Sequence, residues 1–417
     1  MYAENSTSYN LSQDDVTWIV SSFGIAGMVG TLFTGPIIDF FGPRLLLLSL
    51  HLPSALFWLI KAFSPYKSLL YVARVGLVLI LTVMGPLIPM LLSELSDPKI
   101  RGFMFALEEI TVAFAILVMY ILAQWVDWRV TTAACAAPSV LLFICNLFVP
   151  ESPYWLARKG KLEAAEKSLQ KLRVSKTAAS QELQALTGLI KESRQTSFLE
   201  QTKQLSLPEN YRPVLLLLII LILRELGGEY IIFSYSVAIF EEAQVNMDAF
   251  TCTVLVGVLR MTFTIISSLM LDRFGRRPLL LITTFLCAAA SMLSGIFALT
   301  GTWGSSWIIL ISVLTYVASY GLGLGPIPWG LAGEMIPTPV RTVGGPICIF
   351  FYSLAVFGIS HLFPMFIEAF GIAYVFFLFA SSLVVLFVIL WFVFPETKGK
   401  TLNELQGAFV KKTPETN

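Results

Sequence analysis

Charge is what this chain most lacks. Only 13% of its 417 residues are Asp, Glu, Lys or Arg, where an ordinary soluble domain carries roughly 25%. The formal net charge is +1, so there is no broad basic surface of the kind that binds nucleic acid. Histidine is nearly absent: His51 and His361 are far apart in sequence and share no motif. Cysteine is thin as well. Cys135, Cys145, Cys252, Cys287 and Cys348 lie mostly in apolar runs, with no CxxC or ligand spacing, which points away from a disulfide framework or a metal site. No nucleotide-binding loop is present. The sequence therefore calls for no cofactor, no ATP and no enzyme chemistry.

What the chain has in excess is apolar sequence, at 56% of residues. A helix needs about 20 apolar residues to cross ~30 Å of hydrocarbon. Eleven runs qualify, near 17–38, 45–63, 69–92, 103–124, 129–149, 213–238, 249–271, 278–300, 306–331, 343–366 and 371–394. They predict an all-α membrane protein. The first run is no signal peptide, because it lacks a basic n-region. The polar lead "MYAENSTSYNLSQDDVTW" precedes it, with glycosylation sequons at Asn5 and Asn10 that mark an extracytoplasmic tail.

Charge asymmetry fixes an expected orientation. With the N-terminus outside, the inner loops hold Arg44, Lys99, Arg101, Arg273, Arg276, Arg277 and Arg341, together with the basic stretch from Arg158 to Arg212. The opposite loops hold Lys61, Lys67 and Arg129. The positive-inside rule then makes the long middle segment cytoplasmic. In that segment Leu162, Ala165, Leu169 and Leu172 recur at helical spacing, as do Leu183, Leu186 and Leu189. We read short amphipathic helices under the membrane domain, the alternative being a disordered linker.

The chain also repeats itself. "DFFGPR" at 39–44 returns as "DRFGRR" at 272–277, "SELSDPKIRG" at 93–102 as "GEMIPTPVRT" at 333–342, and "PESPYW" at 150–155 as "PETKGKTL" at 395–402. Three pairs in the same order spell two parallel halves related about the membrane normal. The expected organisation is an N-terminal half over 1–149, a cytoplasmic helical linker over 150–212, a C-terminal half over 213–396 and a cytoplasmic tail over 397–417. The halves hold five and six runs, so by the symmetry one helix is missing before residue 17: either the chain starts late, or the protein has lost that helix.

Acids sit beside the basic loop residues. Asp39, Glu94, Asp272 and Glu334 fall at cytoplasmic helix ends, each close in sequence to an arginine among Arg44, Arg101, Arg276, Arg277 and Arg341. Such pairs can latch two halves in one state and part in the other; the plainer reading of the basic residues is orientation alone. In "GLGLGPIPWG" glycine and proline break or bend a membrane helix. Trp329 beside them offers a flat ring for the C–H face of a sugar, or a packing surface.

These motifs resemble those of the sugar porter branch of the major facilitator superfamily. The resemblance rests on Asp39, Gly42 and Arg44, on Arg74, on Glu94 with Arg101 and Gly102, and on "PESPYWL", "DRFGRRPL", "GPIPW" at 325–329, Glu334, Arg341 and "PETKGKTL". "DAFTCTVLVGV" and "GPIPWGLAGEMIP" are most similar to insect facilitated trehalose or hexose transporters. The resemblance implies a major facilitator fold, alternating access, a small-molecule sugar as partner within a lipid bilayer, and a multi-pass protein of the cell membrane. It covers nearly the whole chain, from the family's second helix to its twelfth.

The departures from the family are local. Its seventh helix carries glutamines, a small residue, a glycine and an asparagine for sugar hydroxyls, and amides suit them because each donates and accepts. Here those positions read Arg224, Glu225, Gly227, Gly228 and Tyr230. Glu109, Arg260 and Tyr352 stand at further amide positions of the fifth, eighth and eleventh helices. At 1.5 Å per residue Arg224 lies about 16 Å past Pro213, where a lone charge costs on the order of 3 kcal/mol. We therefore expect Glu109, Arg224, Glu225, Glu229 and Arg260 to face one another or a wet cavity, with Glu225 and Glu229 sharing one helix face. Three readings stay open: a sugar uniporter, a transporter of a different, charged or proton-coupled substrate, and a sensor or remnant locked by its own charges.

Overall fold

Ser12 opens the first helix with a capping box: its hydroxyl accepts from Asp15 N, and the Asp15 carboxylate accepts from Ser12 N. In this computed structural model residues 12–97, 100–173, 175–193, 198–243, 245, 247–301, 305–337 and 340–396 are described. Among them all regular structure is helical. Contacts divide the chain into two compact units, Met1–Glu108 with Val126–Ser197, and Glu109–Trp125 with Phe198–Asn417.

The first unit holds α1 (Gln13–Phe41), α2 (Pro43–Phe63), α3 (Lys67–Leu95) and the start of α4 (Arg101–Trp125). It continues with α5 (Trp128–Ala134), α6 (Ala136–Asn146), α7 (Pro153–Arg158), α8 (Leu162–Leu172) and α9 (Lys176–Ser193). α3 packs on α1 and α2, and α2 on α6, around Ile38, Leu46, Leu47, Leu87 and Leu91. α7, α8 and α9 close on a small separate core of Leu156, Ala157 and Ala165. The middle segment is thus helical where leucine spacing predicts helices.

The second unit takes the rest of α4, then α10 (Phe198–Leu205), α11 (Pro208–Leu226), α12 (Glu229–Ser234), α13 (Ser236–Glu242), α14 (Ala249–Phe274) and α15 (Arg276–Thr300). After α16 (Ser305–Ser319) comes a π-helical turn, Tyr320–Leu324, then α17 (Pro326–Met335), α18 (Arg341–Phe370) and α19 (Ile372–Phe392). The late part of α4 belongs here through side chains: Tyr120 Oη donates to Phe233 O at 2.8 Å and Gln124 Nε2 to Thr251 Oγ1 at 3.0 Å. α15 packs on α19 and α16 through small residues, with Ala288, Ala290, Ser291, Ser294 and Gly295 buried. Lipid gives little hydrophobic drive between helices, so close approach over small residues supplies the packing.

Ten helical stretches among the described residues are long and apolar enough to cross a membrane. They cover ten of the eleven sequence runs. The remaining run, 213–238, covers most of α11, all of α12 and the start of α13, with breaks between them. Leu32, Phe33, Leu81, Leu293 and Val388 stay exposed, as a lipid-facing surface requires.

Candidate functional site

Two glycines end α11 early. Gly227 N bonds back to Leu223 O at 2.9 Å, and Gly228 turns left-handed at φ 93°. A Cβ at Gly228 would collide with the Phe379 ring, so glycine alone fits. The carbonyl freed at Gly227 accepts from Tyr316 Oη at 2.9 Å, as a broken helix inside a membrane demands. Glu225 and Glu229 therefore do not share one helix face, contrary to the i, i+4 expectation. One ends α11, the other starts α12, and they meet instead at Arg224.

Arg224 is 2% exposed and Glu225 is 0% exposed. Arg224 Nη2 donates to Glu229 Oε2 at 2.9 Å and also reaches the Tyr320 hydroxyl. Its Nη1 lies 3.6 Å from Glu225 Oε1. From α14, Arg260 Nη1 lies 3.9 Å from Glu229 Oε1. Both guanidinium groups sit over rings: Arg224 is 5.3 Å from Tyr320 and 5.5 Å from Trp329, and Arg260 is 4.4 Å from Phe233 and 5.2 Å from Tyr320. Trp329, 37% exposed, stands edge-on to Tyr352 at 5.1 Å.

Four of the five expected charges are thus one cluster. Glu109, half-buried on α4, is near enough for Arg260 and Arg224 to act on its charge but makes a looser association. Tyr230 is half-buried on α12. The sequence reading missed Tyr316, Tyr320 and Phe233. A signal was present: Tyr316 and Tyr320 are four apart in an apolar helix, and a buried tyrosine hydroxyl needs a partner. Tyr320 lies in the π turn whose Gly325 N bonds Tyr320 O at 2.8 Å, and such turns often mark functional sites.

The cluster is not fully satisfied. Arg224 Nε and Nη1, Arg260 Nε and Nη1, and both carboxylate oxygens of Glu225 are buried without a hydrogen-bond partner. It offers charged donors and acceptors together, which is the complement of a hydroxyl that does both.

The loop motifs form two further clusters, one in each unit. In the first, Arg44 N donates to Glu151 Oε1 at 3.0 Å and Arg44 Nη2 to Leu147 O at 2.7 Å. Asp39 pairs with Arg158 and, at 3.2 Å, with Lys159, while Glu94 accepts from the Ser152 hydroxyl. In the second, Arg276 N and Arg277 N donate to Glu396 at 3.0 and 3.1 Å, and Arg277 Nη2 to Trp391 O at 2.7 Å. Arg276 pairs with Glu334 at 3.1 Å, and Arg341 Nη2 donates to Gly333 O and Ile336 O. Glu151 and Glu396, which the sequence reading did not single out, hold the centre of each cluster. The side chains of Arg101 and Asp272, the sequons at Asn5 and Asn10, and the tail over 397–417 lie outside the described residues.

Comparison with known proteins gives one consistent answer. Residues 1–409 match the sugar (and other) transporter family. The facilitated trehalose transporter Tret1 of Culex quinquefasciatus is 28% identical over 411 residues, covering 97% of this chain and 80% of that one. Tret1 of Aedes aegypti is 27% identical over 411 residues, covering 97% and 51%. Among solved structures, the major facilitator proton:xylose symporter XylE bound to 6-bromo-6-deoxy-D-glucose shares the fold, at a TM-score of 0.79 with 24% identity over 97% of this chain and 92% of that one. A partially occluded inward-open form of the xylose transporter XylE from E. coli gives a TM-score of 0.75 with 26% identity, over 95% and 91%.

Proposed function

Since the chain belongs to the sugar (and other) transporter family, we propose that it moves trehalose or a hexose by alternating access, with the Arg224 cluster as its sugar-binding site. It is a multi-pass membrane protein of sugar transport and not an enzyme. The observation that carries the site reading is the unsatisfied set of buried groups beside Trp329. Glu225 accepts from sugar hydroxyls, Arg224 and Arg260 donate to them, and the Trp329 ring covers an apolar C–H face. Glu109 and Tyr230 flank this set from α4 and α12.

The two repeat halves are residues 1–149 and 213–396, joined by the linker over 150–212. The N-terminus faces outward, with glycans at Asn5 and Asn10, and the linker and C-terminus lie in the cytoplasm under the cell membrane. The junction residues Asp39, Arg44, Glu94, Arg101, Asp272, Arg276, Arg277, Glu334 and Arg341 then form the cytoplasmic gate. Movement follows solute gradients without ATP.

Purified chain in proteoliposomes tests this directly. Labelled trehalose or a labelled hexose should enter saturably and exchange against the unlabelled sugar inside. Linear, non-competable entry of both would overturn the reading.

A further inference from the structure

The charged cluster holds more acid than base. Among the described residues, the cations that act on Glu109, Glu225 and Glu229 are Arg224 and Arg260, and an arginine in a protein does not give up its proton. The surplus negative charge must be carried by one of the acids or cancelled by a proton on it. Glu229 is held from both sides, by Arg224 at 2.9 Å and Arg260 at 3.9 Å. Glu109 is only half-buried. Glu225 is different: it is 0% exposed, and among the described residues neither carboxylate oxygen accepts a hydrogen bond and its one ion-pair contact is the 3.6 Å approach of Arg224 Nη1. The other terminal nitrogen of that same guanidinium, Nη2, is engaged with Glu229 and Tyr320. Around Glu225 stand also the Glu229 carboxylate, a like charge beside it, and Arg260, whose charge acts on it as well, together with the uncharged hydroxyls of Tyr316, Tyr320 and Tyr352.

An ionised carboxylate cannot be left in such a place cheaply. We propose that Glu225 is a proton-binding site and that its proton travels with the sugar, one proton for each sugar moved. The proposal rests on the transport reading above. The resemblance implies an amide at this position, and an amide cannot exchange a proton; the carboxyl is this chain's own departure. Protonation forms one O–H bond at a Glu225 oxygen, with the proton drawn from water on the side to which the site is open. Deprotonation returns it to water on the opposite side, and no bond in the sugar changes. The protonated carboxyl both donates and accepts, so it also restores the hydroxyl-like chemistry of the amide it replaces.

Two measurements test the proposal. Infrared spectra of the purified protein at neutral pH should show the C=O stretch of a buried carboxylic acid. That band should vanish in Glu225→Gln and shift without vanishing in Glu225→Asp. Absence of the band from the wild-type protein, or its survival unchanged in Glu225→Gln, overturns the proton site. In wild-type proteoliposomes an imposed pH gradient should drive labelled trehalose or hexose uphill, toward the acid-to-alkaline direction, with a limit of about tenfold accumulation per pH unit for one proton. Sugar exchange that proceeds normally but never accumulates under the gradient overturns the coupling and leaves sugar transport standing. No exchange of either sugar overturns the transport reading together with the coupling, and the infrared band then decides the proton site alone.

Discussion

The α1–α2 and α14–α15 junctions are one device built twice, whereas the Arg224 cluster has its own design. At each junction a left-handed glycine, Gly42 or Gly275, lets a helix restart at once, and a glutamate from a distant proline-led motif caps the new N-terminus. An arginine then ties that helix to a far carbonyl, Arg44 to Leu147 and Arg277 to Trp391, at the same 2.7 Å. An anion at a helix N-terminus is favourable in any setting, so these contacts serve the fold first. The Arg224 cluster does the reverse. It gathers charge in an apolar stretch and leaves several of those groups without hydrogen bonds. Single atoms go without a partner at the junctions too, at Arg44 Nε, Arg276 Nε, Arg277 Nε and Glu334 Oε2, but each of those side chains keeps another hydrogen bond. What sets the Arg224 cluster apart is a whole buried carboxylate, Glu225, with neither oxygen hydrogen-bonded among the described residues.

The sharpest way to break this contrast is to strand a charge. Arg224→Gln leaves Glu225 and Glu229 without their shared partner. Loss of one member of a buried pair typically costs about 3–5 kcal/mol, so the detergent-solubilised variant should unfold at much lower temperature. Adding Glu229→Gln should recover a large part of that loss, and a double-mutant cycle reads the coupling. Additive single effects would mean that the charges are separately solvated.

Part of this contrast was legible in the sequence. Span positions follow from apolar length, and the junctions follow from the repeat, because both are set by local chain properties. That Arg224, Glu225, Glu229 and Arg260 come together follows from the cost of a lone charge in lipid. The partners of the cluster did not follow. Tyr320 enters through a π turn, which no simple periodicity encodes, and the Gly227–Gly228 break separates two glutamates that regular spacing would align. Likewise Glu151 and Glu396 looked like parts of a proline motif, because only the folded chain brings them to Arg44 and Arg276.

Trp329 probes the site side of the comparison. Its ring already carries the Arg224 guanidinium at 5.5 Å and meets Tyr352 at 5.1 Å. If it also covers the sugar, Trp329→Ala should weaken sugar binding by about 1–3 kcal/mol, while Trp329→Phe retains part of that. Equilibrium binding of labelled sugar measures this. A drop in thermal stability with unchanged affinity would make Trp329 a packing residue.

The junction side is probed by a matched pair. Glu151 accepts from Arg44 N and Ser152 N, and Glu396 from Arg276 N and Arg277 N. Each is a two-donor carboxylate at a helix start, so Glu151→Ala and Glu396→Ala should destabilise by similar amounts, about 1–2 kcal/mol each. Thermal unfolding of the two variants checks this. A several-fold difference would show that the two junctions only look alike.

The smallest effect is expected where the repeat's symmetry lapses. The C-terminus of α17 is capped by Arg341, which reaches Gly333 O at 3.2 Å and Ile336 O at 3.3 Å from the helix that follows. At the matching end of α3, the Leu95 carbonyl accepts from Arg173 Nη1 at 3.1 Å, and Arg173 comes from the linker after α8. Arg173 also grips Glu182 with two bonds of 2.7 and 2.8 Å, which raises its already high pKa further. A cation at an exposed helix C-terminus contributes about 0.3–1 kcal/mol. Arg341→Ala should cost no more than that, because its side chain is exposed. Arg173→Ala should cost somewhat more, because a forked guanidinium–carboxylate bond goes with the cap. Arg173→Lys should not restore it, since a single ammonium cannot hold the fork and the carbonyl in the same geometry. Amide hydrogen exchange over the last turns of α3 and α17 separates the two. Faster exchange confined to α17 in Arg341→Ala, against faster exchange across α3, α8 and α9 in Arg173→Ala, would show that the linker braces the first unit. Equal, local effects in both variants would reduce Arg173 to an ordinary cap.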